Sequence, residues 1–138
     1  MSTPLSSRHI SLLPPASPTV LANGTQEWRV NGTLHRLDGP AAIYANGSKE
    51  WYLDGKLHRL DGPAFVRADG TQAWYIHDKL HRLDGPAIVY ADGSEKWLVD
   101  GHNITHCTAH AKMAYIHTYM HKNDRTSLPG GSEMFDTV

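Results

Sequence analysis

Four tryptophans, Trp28, Trp51, Trp74 and Trp97, stand 23 residues apart. The segments around them repeat almost letter for letter, and the heptapeptide His-Arg-Leu-Asp-Gly-Pro-Ala begins at His35, at His58 and at His81. A fixed period of this length means stacked supersecondary units, each completing the core of its neighbour. A chain built this way is read first as an interaction array and only second as an enzyme.

The units run from Asn23 to Ala45, from Asn46 to Ala68 and from Asp69 to Ala91, and a half unit follows over 92–103. Unit two carries three Asx-Gly pairs, Asn46-Gly47, Asp54-Gly55 and Asp61-Gly62. Such pairs are the strongest short hairpin signal. Three reversals per unit would flip each successive unit, so one pair must be a bulge. Asp61-Gly62 is assigned that role because Pro63 follows and cannot donate to a ladder, while Gly suits the left-handed residue of a bulge. Strand A is then Ser48 to Leu53. Strand B runs from Lys56 to about Arg67, pairing backwards with its own strand A before the bulge and forwards with the next strand A after it.

Period-two alternation puts Trp28 with Val30, Trp51 with Leu53, Trp74 with Ile76 and Trp97 with Val99 on one face, read as the structural core side. The opposite face carries Tyr52 and Tyr75, and in strand B Tyr44, Arg67 and Tyr90. The fold expected is mainly β: an elongated single antiparallel sheet of about seven strands, with a C-terminal helix. Residues 1–22, rich in Ser and Pro, read as a flexible arm. Residues 104–122 read as a His-rich helix, with Thr105 or Thr108 as N-cap and Ala109, Met113, Ile116 and Met120 on its apolar stripe. Residues 123–138 return to Ser, Gly and Pro and read as a flexible tail.

The units resemble MORN repeats, the β-hairpin modules that string into elongated sheets. The shared elements in unit two are Glu50-Trp51, Asp54-Gly55-Lys56, His58, Gly62 and Asp69-Gly70. The family usually places Gly directly after the His, whereas Arg36, Arg59 and Arg82 stand there in this chain, so it looks like a variant of the kind seen in small bacterial and phage proteins. The resemblance implies a scaffold that contacts proteins.

Bulk composition narrows the alternatives. With 13 basic and 14 acidic side chains the formal charge is -1. That balance gives no support for counterion-release nucleic-acid binding or for a polybasic membrane anchor. No run reaches transmembrane length, and the first residues do not read as a secretory signal. The single Cys107 excludes an internal disulfide and reads as a small buried residue. A cytoplasmic setting is expected, the host cytoplasm if the gene is phage-borne.

Three groups of residues carry candidate chemistry. The His-Arg pairs at His35-Arg36, His58-Arg59 and His81-Arg82 would form a ladder for an anionic ligand or nucleotide, against a structural reading in which each Arg pairs with the Asp two residues on. His77-Asp78 replaces the Asx-Gly of the other units and, with His81 nearby, suggests an acid–base or metal pair, against simple drift at an exposed turn. His106 with His110 and His117 with His121 have the i, i+4 spacing of a helical zinc pair, but the HExxH pattern is absent and no acidic residue lies between His102 and His121. No cofactor is therefore assigned, zinc being the one such histidines would take.

The reading that results is a non-enzymatic protein-interaction module, an adaptor or an inhibitor. Its partner would meet Tyr44, Tyr52, Tyr75, Tyr90 and the row Arg36, Arg59, Arg82, since Tyr and Arg are favoured interface residues. The open sheet edges suit self-association. The alternatives are an anionic-ligand sequestering protein using the His-Arg ladder and a metal-binding protein using His106, His110, His117 and His121.

Overall fold

The structure, a computed structural model, describes residues 17–127. The first 16 residues of the expected arm and the expected tail from residue 128 onwards lie outside the described residues. The chain divides into two compact units, Met1–Asn103 and Ile104–Val138.

The first unit is built of repeated antiparallel hairpins, in two rows. One row is a continuous eight-stranded sheet in the order Thr19–Val20, Gln26–Glu27, Ala42–Ile43, Lys49–Glu50, Phe65–Val66, Gln72–Ala73, Ile88–Val89 and Glu95–Lys96. The other row is four separate two-stranded hairpins. They join Arg29–Val30 to Thr33–Leu34, Tyr52–Leu53 to Lys56–Leu57, Tyr75–Ile76 to Lys79–Leu80, and Leu98–Val99 to His102–Asn103. The expected mainly β array of antiparallel hairpin repeats is found, and the single sheet of about seven strands becomes an eight-stranded sheet with four hairpins beside it.

The tryptophan is the point of division. The Trp51 N–H donates to the Ala64 carbonyl at 2.7 Å, while the Trp51 carbonyl accepts from the His58 N–H at 3.0 Å. Strand A therefore changes partner at its Trp, from the second half of strand B to the first. The same pair of bonds forms at Trp28 with Ala41 and His35, and at Trp74 with Ala87 and His81. The expectation that strand B changes partner at the heptapeptide is corrected. Its second half, Phe65–Val66, pairs with strand A on both sides, and the residues between the halves loop out of the ladder.

The heptapeptide glycine also differs from its expected role. Gly39, Gly62 and Gly85 are not among the positive-φ residues, so none is the left-handed residue of a bulge. Glycine stands there because the arginine lies against it. A Cβ on Gly62 would sit 2.8 Å from Arg59 Cζ, and those on Gly39 and Gly85 would sit 2.9 and 2.7 Å from Arg36 and Arg82 Cζ. The tight hairpin turns do use the left-handed region, with both Asp54 (φ 56°) and Gly55 (φ 79°) there. This is the primed turn that matches the twist of two-residue hairpins.

Among the described residues the fully buried side chains are small. Ala41, Ala64 and Ala87 are fully buried, and Val99 is the largest side chain fully enclosed. The Ala41 N–H donates to the Glu50 carbonyl and the Ala87 N–H to the Lys96 carbonyl, each at 2.8 Å, so each alanine joins its own tryptophan to the next unit. Only Trp28 among the four tryptophans is buried; the rest are half-buried. Side-chain oxygens tie the turns together as well: Ser48 Oγ accepts from the Ala68 N–H at 2.9 Å, and Thr71 Oγ1 from the Ala91 N–H at 3.2 Å.

Thr19–Val20 belongs to the array although it falls in the expected arm. It stands one period before Ala42–Ile43 and pairs with Gln26–Glu27, the place Ala42–Ile43 holds one unit later.

In the second unit one helix, α1, spans Ala109–Ser127. Thr108 is its cap, with Oγ1 accepting from the Ala111 N–H at 3.1 Å. The helix starts later than expected and continues past Lys122 into the expected tail. Burial follows Ile116, with Lys112 and Tyr119 half-buried, whereas Met113 and Met120 are 52% and 47% exposed and Ala109 is exposed. The expected four-residue stripe is therefore reduced to a narrow line through Ile116. Cys107 is exposed rather than buried, because it lies in the turn before the helix. No described helix is long and apolar enough to cross a membrane.

A prediction follows from the packed glycine. Gly62→Ala pushes the Arg59 guanidinium off its tryptophan and lowers unfolding free energy by about 1–2 kcal/mol, the worth of a partly desolvated cation–π contact and its bonds. Urea denaturation measures this, and Asp54→Ala at the hairpin turn supplies a comparison in which strain in φ is the cause instead.

Candidate interaction site

Each heptapeptide forms the same clamp. Arg59 Nε donates to Asp61 Oδ1 at 3.0 Å, its Nη1 donates to the Pro63 carbonyl at 3.0 Å, and its Cζ lies 4.1 Å from the centroid of a Trp51 ring. Arg36 repeats this with Asp38, Pro40 and Trp28, and Arg82 with Asp84, Pro86 and Trp74. The guanidinium is held in three directions at once, one of them an oxygen of the adjoining carboxylate. Its bidentate fork is already divided between a carboxylate and a carbonyl.

The histidines of the heptapeptides join neighbouring units. The Asp54 N–H donates to His35 Nδ1 at 2.8 Å, the His77 N–H to His58 Nδ1 at 3.1 Å, and the Asp100 N–H to His81 Nδ1 at 2.8 Å. An imidazole that accepts at Nδ1 is neutral and carries its proton on Nε2. The His-Arg ladder is therefore brought together as expected, but its polar atoms are turned into the framework.

The irregular third unit has a defined structure. His77 (φ 48°) and Asp78 (φ 69°) both occupy the left-handed region without a glycine. Asp78 Oδ1 accepts from the Leu57 N–H at 2.7 Å, and the His77 ring lies 4.3 Å from that of His58. The partner of His77 is thus His58 of the preceding unit rather than the expected His81.

On the tyrosine face, Glu50 Oε1 accepts from the Tyr44 hydroxyl at 2.6 Å and from the Tyr52 hydroxyl at 3.1 Å. Burial, then Glu50, pushes Tyr52 up to about 12 and Tyr44 higher still. Burial also raises Tyr75. Lys96 Nζ stands 5.9 Å from the Tyr90 ring centroid. All four tyrosines are half-buried.

The helix histidines divide. His106 precedes α1, so the helical spacing expected for His106 and His110 does not apply to that pair. His117 and His121 do lie on the helix, with ring centroids 6.1 Å apart. Among the described residues no group of three or more His, Cys, Asp or Glu is placed to hold a metal ion.

The leucine inside the heptapeptide was not singled out in the sequence. With Arg59 turned in and Asp61 bonded to it, Leu60 is left pointing out and is 81% exposed; Leu37 is 63% exposed and Leu83 half-buried. The available signal was an apolar residue repeated inside an Arg-x-Asp-Gly-Pro loop, where no core position exists. Between successive loops lie two clefts. The first, of 740 Å³, is walled by Leu37, Pro40 and Leu60 with Trp51, Leu53 and His58. The second, of 790 Å³, repeats it with Leu60, Pro63 and Leu83 around Trp74, Ile76 and His81. Three loops thus enclose two equivalent clefts. Of the expected partner-binding residues, Arg36, Tyr52, Arg59 and Arg82 border the clefts; Tyr44, Tyr75 and Tyr90 do not line them.

The fold and site define a repeat protein of antiparallel β-hairpins with a clamped, leucine-tipped loop in each full unit. No family model, curated protein or solved structure matches the chain.

The histidine junctions predict an acid sensitivity. Burial, and for His58 also the neighbouring His77, holds the His58 and His81 imidazoles below their usual range; at His81 the Asp100 carboxylate opposes burial. The unfolded chain therefore binds protons first. Their contribution is constant well above pH ~6.5 and is lost as pH falls below it, because protonation of the unfolded histidines is favoured. Urea unfolding between pH 8 and pH 5 checks this: the double variant His58→Gln, His81→Gln is expected to show a shallower slope over that window. The raised tyrosines have the opposite sign. Stability is lost as pH rises above ~10, where unfolded tyrosines ionise, and Tyr52→Phe is expected to reduce that loss.

Proposed function

We infer that this protein is a non-enzymatic, MORN-like interaction module, an adaptor or an inhibitor, that holds a protein partner against its loop row. The observation that carries the reading is Leu60, a large apolar side chain 81% exposed on a loop whose arginine is fixed by two hydrogen bonds and a ring. Burying a leucine is worth roughly 1.5–3 kcal/mol, so leaving it in water makes sense where a partner covers it. A loop fixed before binding loses little further entropy on association. The loop is presented in three copies, and Arg36, Tyr52, Arg59 and Arg82 support it from the cleft walls. Trp28 and Trp97 serve the array itself, while Trp51 and Trp74 also line the clefts. A cytoplasmic setting and self-association through the outer strands, Thr19–Val20 and Glu95–Lys96, belong to the same reading.

The test is affinity capture from the native host with mass spectrometry, using the full chain and two variants. Leu37→Asp with Leu60→Asp is expected to lose the partner, a fall of tenfold or more in affinity, about 1.4 kcal/mol per decade. Tyr75→Ala, at a tyrosine that lines neither cleft, is expected to keep it. Retention by the leucine variant with loss by the tyrosine variant overturns the choice of loop row in favour of the tyrosine face.

A further inference from the structure

The geometry points to a specific occupant of the paired clefts: a proline-rich, basic peptide in the polyproline II conformation, lying across the strands along the row Leu37, Leu60 and Leu83. This rests on the reading of the loop row as the binding face, and adds the chemistry and conformation of the partner.

Spacing is the first reason. Each unit adds two strands to the continuous sheet, and strands lie about 4.8 Å apart, so equivalent points of successive clefts recur every ~9.6 Å. A polyproline II chain rises ~3.1 Å per residue and returns to the same face every third residue, a repeat of ~9.3 Å. A β-strand also advances roughly 10 Å in three residues, but its side chains alternate, so every third one points away. An α-helix needs seven residues, about 10.5 Å, to return to nearly the same face.

Hydrogen bonding is the second. Trp51 and Trp74 line the two clefts and are only half-buried. Their indole N–H groups donate to no acceptor among the described residues. Indole is a donor only, so an occupant that brings a free acceptor gains a bond there that a self-satisfied one does not. Polyproline II leaves its carbonyls without internal partners, whereas a helix uses most of its own. Aromatic-lined grooves with such donors suit proline-rich segments.

Charge is the third. Asp38, Asp61 and Asp84 have side chains 82%, 86% and 87% exposed beside the leucines. Each uses Oδ1 toward its arginine, and Oδ2 faces no bonded partner among the described residues. The carboxylates stand outermost, with the arginines, 20–25% exposed, beneath them. A residue outside the row therefore meets an acidic rim once per unit, which matches one Arg or Lys in every three residues of the ligand.

The probe is the nonapeptide (Pro-Pro-Arg)₃, added to the full chain while the indole N–H signals are followed by NMR. Binding in the submillimolar range is expected, moving the Trp51 and Trp74 signals and sparing Trp28, which lines neither cleft. (Pro-Pro-Glu)₃ and (Ala-Ala-Arg)₃ are expected to shift neither signal at equal concentration. Leu60→Asp, whose side chain walls both clefts, is expected to abolish the shifts. Asp61→Asn, which keeps the acceptor for Arg59 and removes the charge, is expected to weaken binding threefold or more. Equal shifts with the acidic peptide overturn the charge argument, and equal shifts with (Ala-Ala-Arg)₃ overturn the conformational one. No shift with (Pro-Pro-Arg)₃ at millimolar concentration overturns the proposal as a whole. In that case, loss of the captured partner in the leucine variant leaves the loop row as the binding face with a different occupant, whereas its retention removes the loop-row reading as well.

Discussion

The arginine held against a tryptophan in every full unit is the contact on which the other features depend. It combines a ring face, a carboxylate and a backbone carbonyl around one guanidinium. A cation–π contact of this kind is worth about 0.5–2 kcal/mol, a modest amount repeated three times. Its larger effect is geometric. It fixes the path of the residues that leave the ladder between the halves of strand B, and it requires glycine where the guanidinium lies. It also covers one side of a tryptophan ring in each full unit. With arginine turned inward and aspartate bonded beside it, the leucine between them has only solvent to face.

The array is joined at both margins by side chains acting on backbone amides. Histidines accept from the next unit's turn on one side, and Ser48 and Thr71 accept from alanine amides on the other. The histidine bonds run between units, so part of the stability is distributed along the array as nearest-neighbour terms, while the Ser48 and Thr71 bonds close their own units. The core of small, fully buried alanines follows from the same design. Backbones approach closely where Ala41, Ala64 and Ala87 stand, and specificity of register comes from hydrogen bonds more than from large packed side chains. The clamped loops carry their leucines outside this framework.

Much of this was legible in the sequence. The 23-residue period gave the units, the Asx-Gly pairs gave the turns, and the arginine–aspartate pairing two residues apart was anticipated. What was not legible depended on long-range placement. A period-two pattern treats strand A as one strand, but the Trp51 N–H and carbonyl bond to different segments and divide it. Gly62 next to a proline reads locally as a bulge, whereas its reason is an arginine side chain three residues earlier. His106 has helical spacing to His110, yet Thr108 caps the helix after it. Thr19–Val20 lacks the sequence marks of a unit and joins the sheet only because Gln26–Glu27 offers it an edge.

By itself the sequence determined the repeat: a fixed period of stacked units, hairpin turns set by Asx-Gly, and a polar loop inserted once per unit. The tertiary structure decided which way that loop's side chains point. Arginine goes in because a ring, a carboxylate and a carbonyl converge on it from separate parts of the unit. Leucine goes out because nothing remains to cover it. The direction of a side chain in a loop is set by such convergence rather than by periodicity, and with it the candidate binding face moved from the tyrosines to the clefts between the leucines.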